Sequence, residues 1–144
     1  MLVGICSVVH GQQGFDDKQV IKMLTEFYTA HNKAWIEDTA NSDLLIKTLT
    51  SLQKKYCSIK FQARLRKELK EGGLDHDYIT NDEGFDTTSF ATLMVKKDLA
   101  KPNVYIVSYK YNALTPAYEP INKKVILHVA VIKENGAYKI DSVR

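Results

Sequence analysis

The sequence predicts an α+β domain: three N-terminal helices packed on a curved, mainly antiparallel sheet of about four strands. Three observations carry this. The C-terminal stretch KKVILHVAVIKENGAYKIDSVR, Lys123 to Arg144, is two β-rich runs joined at Asn135-Gly136, the dipeptide that supplies both left-handed positions of a tight hairpin turn. The first half of the chain shows helical spacing of apolar residues, and the segments come in the order helices then strands.

The first helix has complete start signals. Asp16 is placed as N-cap, Gln19 completes a variant capping box and Phe15 is placed to staple onto Val20. Its apolar stripe, Val20, Leu24, Phe27, Tyr28, His31 and Trp35, turns His31 toward the core, and the helix is expected to end between Ile36 and Asp38. Ser42 or Asp43 caps a second helix with Leu45, Leu49, Leu52 and Tyr56 on one face. A third follows from Ser58 with Ile59, Phe61, Leu65 and Leu69, and closes at Gly72-Gly73. From Leu74 to Phe90 the periodicity dissolves into LDHDYITNDEGFDTTSF, read as one long irregular loop. Strands are expected near Ala91 to Lys97, Val104 to Asn112, Lys123 to Glu134 and Tyr138 to Val143.

A two-residue loop at Asn135-Gly136 fixes the last hairpin's register. It opposes Val131 to Ile140, Val129 to Ser142 and His128 to Val143. Val125, Leu127, Val129, Val131, Tyr138 and Ile140 then share a face that must meet the helices. Ile126, His128, Ala130, Ile132, Lys139, Asp141 and Val143 share the outer one, where His128 and Asp141 fall within reach of each other. In the preceding strand Tyr105, Val107, Tyr109 and Tyr111 point inward.

Composition bounds the function classes. The 144 residues make one domain of ordinary hydrophobicity, 44%, and charge, 26%. The net charge of +3 comes from lysines and arginines spread along the chain, which argues against a nucleic-acid binder. No membrane-spanning run is present. The first residues, MLVGICSVVHGQQ, read as a signal-peptide remnant without its basic leader or as a disordered N-terminus, so residues 1–14 are set apart from a domain over 15–144 and the protein is expected to be periplasmic or secreted. Cys6 has no lipoprotein context, and Cys57 alone cannot form an internal disulfide, so it reads as a buried inert thiol.

The chain has no glycine-rich phosphate loop, no Cys-x-x-Cys, no His-Glu-x-x-His and no Gly-x-Ser-x-Gly, and no cofactor is implied. Asp75, Asp77, Asn81, Asp82 and Asp86 invite a calcium reading, but Ile79 and Thr80 stand where an EF-hand needs an oxygen ligand and a glycine, so no metal site is assigned. The candidate binding residues are Tyr28, His31 and Trp35 of helix one, Asp75, Asp77 and Asp82 of the loop, and Tyr109 of the sheet, gathered around a pocket between helix one and the sheet. No catalytic residue is assigned.

The segments FYTAHNKAW, KKYCSIKF, LDHDYITND and ENGAYKIDSVR resemble an uncharacterised exported bacterial family, domain of unknown function 3828. Through it the chain is similar to the nuclear transport factor 2-like, cystatin-like cone superfamily. The likeness extends over residues 15–144 and implies a cone fold and export, but no activity and no matched catalytic residue. Three readings follow. The first is a non-catalytic exported module that binds a small ligand or a peptide. The second is a small acid-base enzyme of isomerase or dehydratase type, with His31 as base and a loop aspartate beside it. The third is an interaction protein that forms a homodimer through the outer sheet face.

Overall fold

The computed structural model describes residues 14–144. The segment read as a leader, with Cys6, lies outside the described residues except for Gly14. Helices α1 (Asp17–Asp38), α2 (Ser42–Tyr56) and α3 (Ile59–Gly72) are followed by a 3-10 turn at Gly73–Asp75 and a short helix α4 (Thr87–Thr92). Strands β1 (Met94–Lys97), β2 (Val104–Leu114), β3 (Pro120–Glu134) and β4 (Ala137–Val143) form one antiparallel sheet in the order β1-β2-β3-β4.

The start of α1 is tied to the sheet. Asp16 caps the backbone N–H groups of Lys18 and Gln19, as expected, but its own N–H donates to the Tyr138 hydroxyl at 2.7 Å rather than to Gln19. Phe15 lies edge-on against the Tyr138 ring, so the staple reaches β4. One residue on, Asp17 accepts from the Tyr105 hydroxyl at 2.6 Å and pairs with Lys97. Val20, Leu24, Phe27 and Tyr28 then bury against Tyr105, Val107, Tyr109, Val125, Leu127, Val129, Val131 and Ile140 in one core. Removing this much apolar surface from water is the main force holding helix to sheet.

The α2–α3 break falls where Ser58 was expected to cap, although Asn41, and not Ser42 or Asp43, caps α2. The junction is clipped to the edge of β4. Ser58 N–H donates to the Ile140 carbonyl, Ser58 Oγ donates to Asp141 at 2.7 Å, and Glu134 accepts from the Ile59 N–H. An otherwise open sheet edge is thereby covered. On the other side β1 stops opposite Ser108, and α4 takes over: Thr92 Oγ1 accepts from the Lys110 N–H, and Asp86 accepts from the Asn112 N–H. Helix α4 replaces the end of the expected loop, up to Phe90, and the start of the strand expected from Ala91, so that β1 begins only at Met94. Its capping box, Asp86 with Ser89, is complete, but six residues are too few for a visible apolar period.

The hairpin turn is where the sequence placed it, with Asn135 at φ 51 and Gly136 at φ 78. From there to Val131–Ile140 the register is the expected one. A bulge at Asp141 then shifts it, so that Ala130 opposes Ser142, Val129 opposes Val143, and His128 exchanges backbone bonds with Arg144. The expected Val129–Ser142 and His128–Val143 pairs do not form, and Val143 moves to the core face. Asp141 is swung toward α3, where Ser58 and Lys60 hold it, while His128 faces Asp98 at 3.5 Å instead.

Ser58 both caps α3 and anchors the bulge, with no exposed surface. Ser58→Ala is therefore expected to lower stability by about 2 kcal/mol, read as a shift of the urea midpoint at constant slope.

Candidate functional site

Helix α1 presents His31 and Trp35 one turn apart at its C-terminal half, facing the segment that follows α3. That segment is no free loop. Its Ile79 and Thr80 are buried, and the Tyr28 hydroxyl donates to the Ile79 carbonyl at 3.0 Å. Asp77 is its organising residue: Oδ1 accepts from the Ile79 N–H, Oδ2 accepts from Thr80 Oγ1 at 2.7 Å, and Oδ1 lies 3.3 Å from His31 Nε2. Asp82 closes the turn by accepting from the Asp77 N–H at 2.6 Å. Asn81 and Asp82 both sit at left-handed φ, 55 and 58, which short amide and carboxylate side chains tolerate best.

His31 is 1% exposed, and its other ring nitrogen contacts Asn32 Oδ1 at 3.1 Å. Burial alone would discharge the imidazole, but the Asp77 carboxylate and its hydrogen bond outweigh burial and raise the His31 pKa above its ordinary value. Asp77 answers in kind: burial pushes its pKa up, His31 and the Thr80 and Ile79 donors pull it further down, and the net direction is downward. The two form a hydrogen-bonded ion pair, with the imidazole buried and the carboxylate partly buried at the edge of the cleft.

The interface between α1 and the sheet is filled by the core, so the expected pocket lies elsewhere. Beside His31, among α1, α2, α3 and the 3-10 turn, about 40 Å³ is open, room for a few waters and no substrate. A wider cleft of about 220 Å³ opens on the other side of Trp35. Its walls are Trp35, Leu74 and Phe85 with Asp75, Asp77, Asp82 and Glu83, and no basic side chain lines it. Glu83 is paired with Lys123 at 2.8 Å and Asp82 with His76 at 3.4 Å, leaving Asp75 as the carboxylate without an ion-pair partner among the described residues. The Trp35 indole N–H is buried without a hydrogen-bond partner among the described residues.

Of the candidate residues, the structure brings Trp35, Asp75, Asp77 and Asp82 around this cleft and puts His31 behind Asp77. Tyr28 is a buried strut. Tyr109 is 1% exposed in the core, its hydroxyl unpartnered among the described residues, and burial together with the Asp77 and Glu83 charges keeps it protonated. Leu74, Glu83 and Phe85 were missed, although Leu74 and Phe85 are the apolar bookends of the acidic stretch. Cys57 is fully buried and burial pushes its thiol up to about 12, which makes it unreactive. Among the described residues no group of three metal-ligating side chains converges, and no helix is long and apolar enough to cross a membrane.

No protein-family model matches the sequence, and comparison with curated proteins finds no match. Among solved structures, a protein of unknown function from Bacteroides thetaiotaomicron VPI-5482 superposes with a TM-score of 0.70 over 89% of this chain and 90% of its own, at 20% identity. That likeness shows the α+β fold and carries no activity.

The His31–Asp77 pair sets a pH dependence of stability. Because the His31 pKa is raised in the fold, its contribution is complete below the ordinary value of 6.5 and is lost as pH rises through the folded value. Because the Asp77 pKa is lowered, its contribution is present above 3.8 and is lost as pH falls through the folded value. Urea unfolding of Asp77→Ala is expected to show a loss of about 3 kcal/mol at about pH 5.5 and a smaller one at about pH 9. An equal loss at both would show that the pair contributes no charge interaction.

Proposed function

We propose that this chain is an exported, non-catalytic binding module of the cystatin-like cone type, and that its Trp35 cleft takes a small organic cation, free or as the basic side chain of a peptide. The observation that carries this reading is the cleft's lining: two aromatic rings, Leu74 and four carboxylates, with no basic side chain among them. An organic cation gains from the face of an indole and from a nearby unpaired carboxylate together, and Asp75 supplies the latter. Export rests on the apolar run ahead of the domain and on the family resemblance.

The enzyme reading needs a substrate in contact with His31. An imidazole that is 1% exposed, already paired on both nitrogens and beside a space of about 40 Å³, has neither the access nor the free lone pair a general base requires. A homodimer through the outer face would set Lys96, Lys110 and Lys124 of one copy near those of another, an arrangement that repels at ordinary salt.

Trp35 is the single tryptophan and therefore reports on the cleft. Tetramethylammonium is expected to change its fluorescence saturably, and tert-butanol, the neutral isostere, is not. Asp75→Asn is expected to weaken the tetramethylammonium response roughly fivefold. Equal responses to the two probes, or none, would sink the cationic reading.

A further inference from the structure

The β2–β3 hairpin ends in a feature that the cleft does not use. Between Lys110 and Lys123 lie twelve residues with one charge, Glu119. β1 pairs only as far as Ser108, β4 pairs only from Val129 onward, and α4 reaches only Asn112, so beyond the Asn112–Asn122 pair the hairpin is a bare two-stranded ribbon. Its end carries Leu114, 63% exposed, Tyr118, 83%, and Ile121, 43%. Leu114 opposes Pro120 while Ile121 opposes Ala113, so the two aliphatic side chains leave opposite faces of the ribbon and Tyr118 tops the turn.

The turn also satisfies most of its own N–H groups. Thr115 N–H donates to the Glu119 carbonyl, Tyr118 N–H to the Thr115 carbonyl and Glu119 N–H to Thr115 Oγ1. Pro116 and Pro120 have no N–H to satisfy. Between 115 and 120 the Ala117 N–H is the one donor left for solvent, so the turn carries few unpaired donors to a polar-apolar boundary, where the carbonyls of Pro116, Ala117 and Tyr118 can stay hydrated. Behind it, Lys110 and Lys124 oppose each other across the ribbon, exposed and with no ion-pair partner among the described residues.

We propose that this hairpin tip docks the protein on an anionic phospholipid surface. Leu114, Tyr118 and Ile121 enter the boundary between headgroups and acyl chains, and Lys110 and Lys124 meet the phosphates. Four residues of strand set Leu114 about 13 Å beyond Lys110, an offset that flexible lysine stems shorten toward the phosphate layer. A protein groove would cover one face of a ribbon. Apolar groups on both faces and at the apex suit a medium that has no preferred side, and the lysine pair selects for negative charge. Glu119 opposes deeper entry and keeps the contact at the interface.

Co-sedimentation with vesicles of phosphatidylglycerol and phosphatidylcholine in equal parts, against phosphatidylcholine alone, tests this. The protein is expected to sediment with the anionic vesicles and to release as salt is raised. Leu114→Asn and Ile121→Asn should each weaken binding about tenfold, and Lys110→Glu with Lys124→Glu together by more than about twentyfold. Glu119→Gln should tighten it. All these side chains are exposed, so the circular dichroism spectrum of each variant should match that of the parent. The proposal fails if the parent ignores anionic vesicles, or if it binds them equally well without Leu114 and Ile121. It also fails if Leu114→Asn alters only self-association in the ultracentrifuge, which would make the tip a protein contact. None of these outcomes bears on tetramethylammonium binding in the cleft.

Discussion

The contact between His31 and Asp77 is the constraint on which the site depends. Residues 73–86 have too few apolar side chains to hold a position by burial, and Ile79 is the one fully buried large apolar residue among them. Asp77 compensates by concentrating interactions: one carboxylate meets a buried imidazole, a backbone N–H and a hydroxyl, while its own N–H is held by Asp82. A buried pair of this kind adds little net stability compared with an apolar replacement of the same shape, because desolvation offsets most of the attraction. What it adds is position. Breaking one partner leaves the other charged and buried, so the segment has one well-defined docking on α1, and the cleft wall follows from it.

The same contact explains how an imidazole sits in the interior with neither ring nitrogen free. A histidine useful in proton transfer keeps one nitrogen for the reaction. Here Nε2 is committed to Asp77 and Nδ1 to Asn32, and the space beside the ring holds a few waters. In the reading proposed above, recognition by charge and ring face takes place outside Trp35, away from the imidazole.

Most of the fold was legible because local rules and the global arrangement agree in it. Asp16, Ser58 and Asn135-Gly136 are boundary residues whose chemistry names their positions, and the β3 alternation from Val125 to Val131 fixes which face is buried. Two features of the fold were not legible, each for a physical reason. The bulge at Asp141 depends on a partner far away in sequence, Ser58, which draws the carboxylate out of register. Helix α4 is shorter than two turns, so its capping box stands without a stripe. The site was half legible: Trp35, Asp75, Asp77 and Asp82 were expected together and are found around one cleft. Tyr28 and Tyr109 belong to the dry core and not to the cleft, a distinction that alternation alone does not make, because an inward tyrosine can line a wet cavity as well as a dry core.

The cleft and the hairpin tip belong to the same end of the molecule, and the interactions joining them differ in strength. Glu83, in the cleft wall, reaches Lys123 on the ribbon at 2.8 Å, but both side chains are substantially exposed, so the pair contributes little and weakens with salt. The durable links are the Asp86 carboxylate on the Asn112 N–H and the packing of Gly84 on Tyr111, where an added Cβ would stand 2.6 Å from the ring. These do not screen away. The segment that walls the cleft is therefore held from two sides, by a buried pair on α1 and by backbone and ring contact on the ribbon, so whatever fixes the orientation of the ribbon also fixes the direction in which the cleft opens.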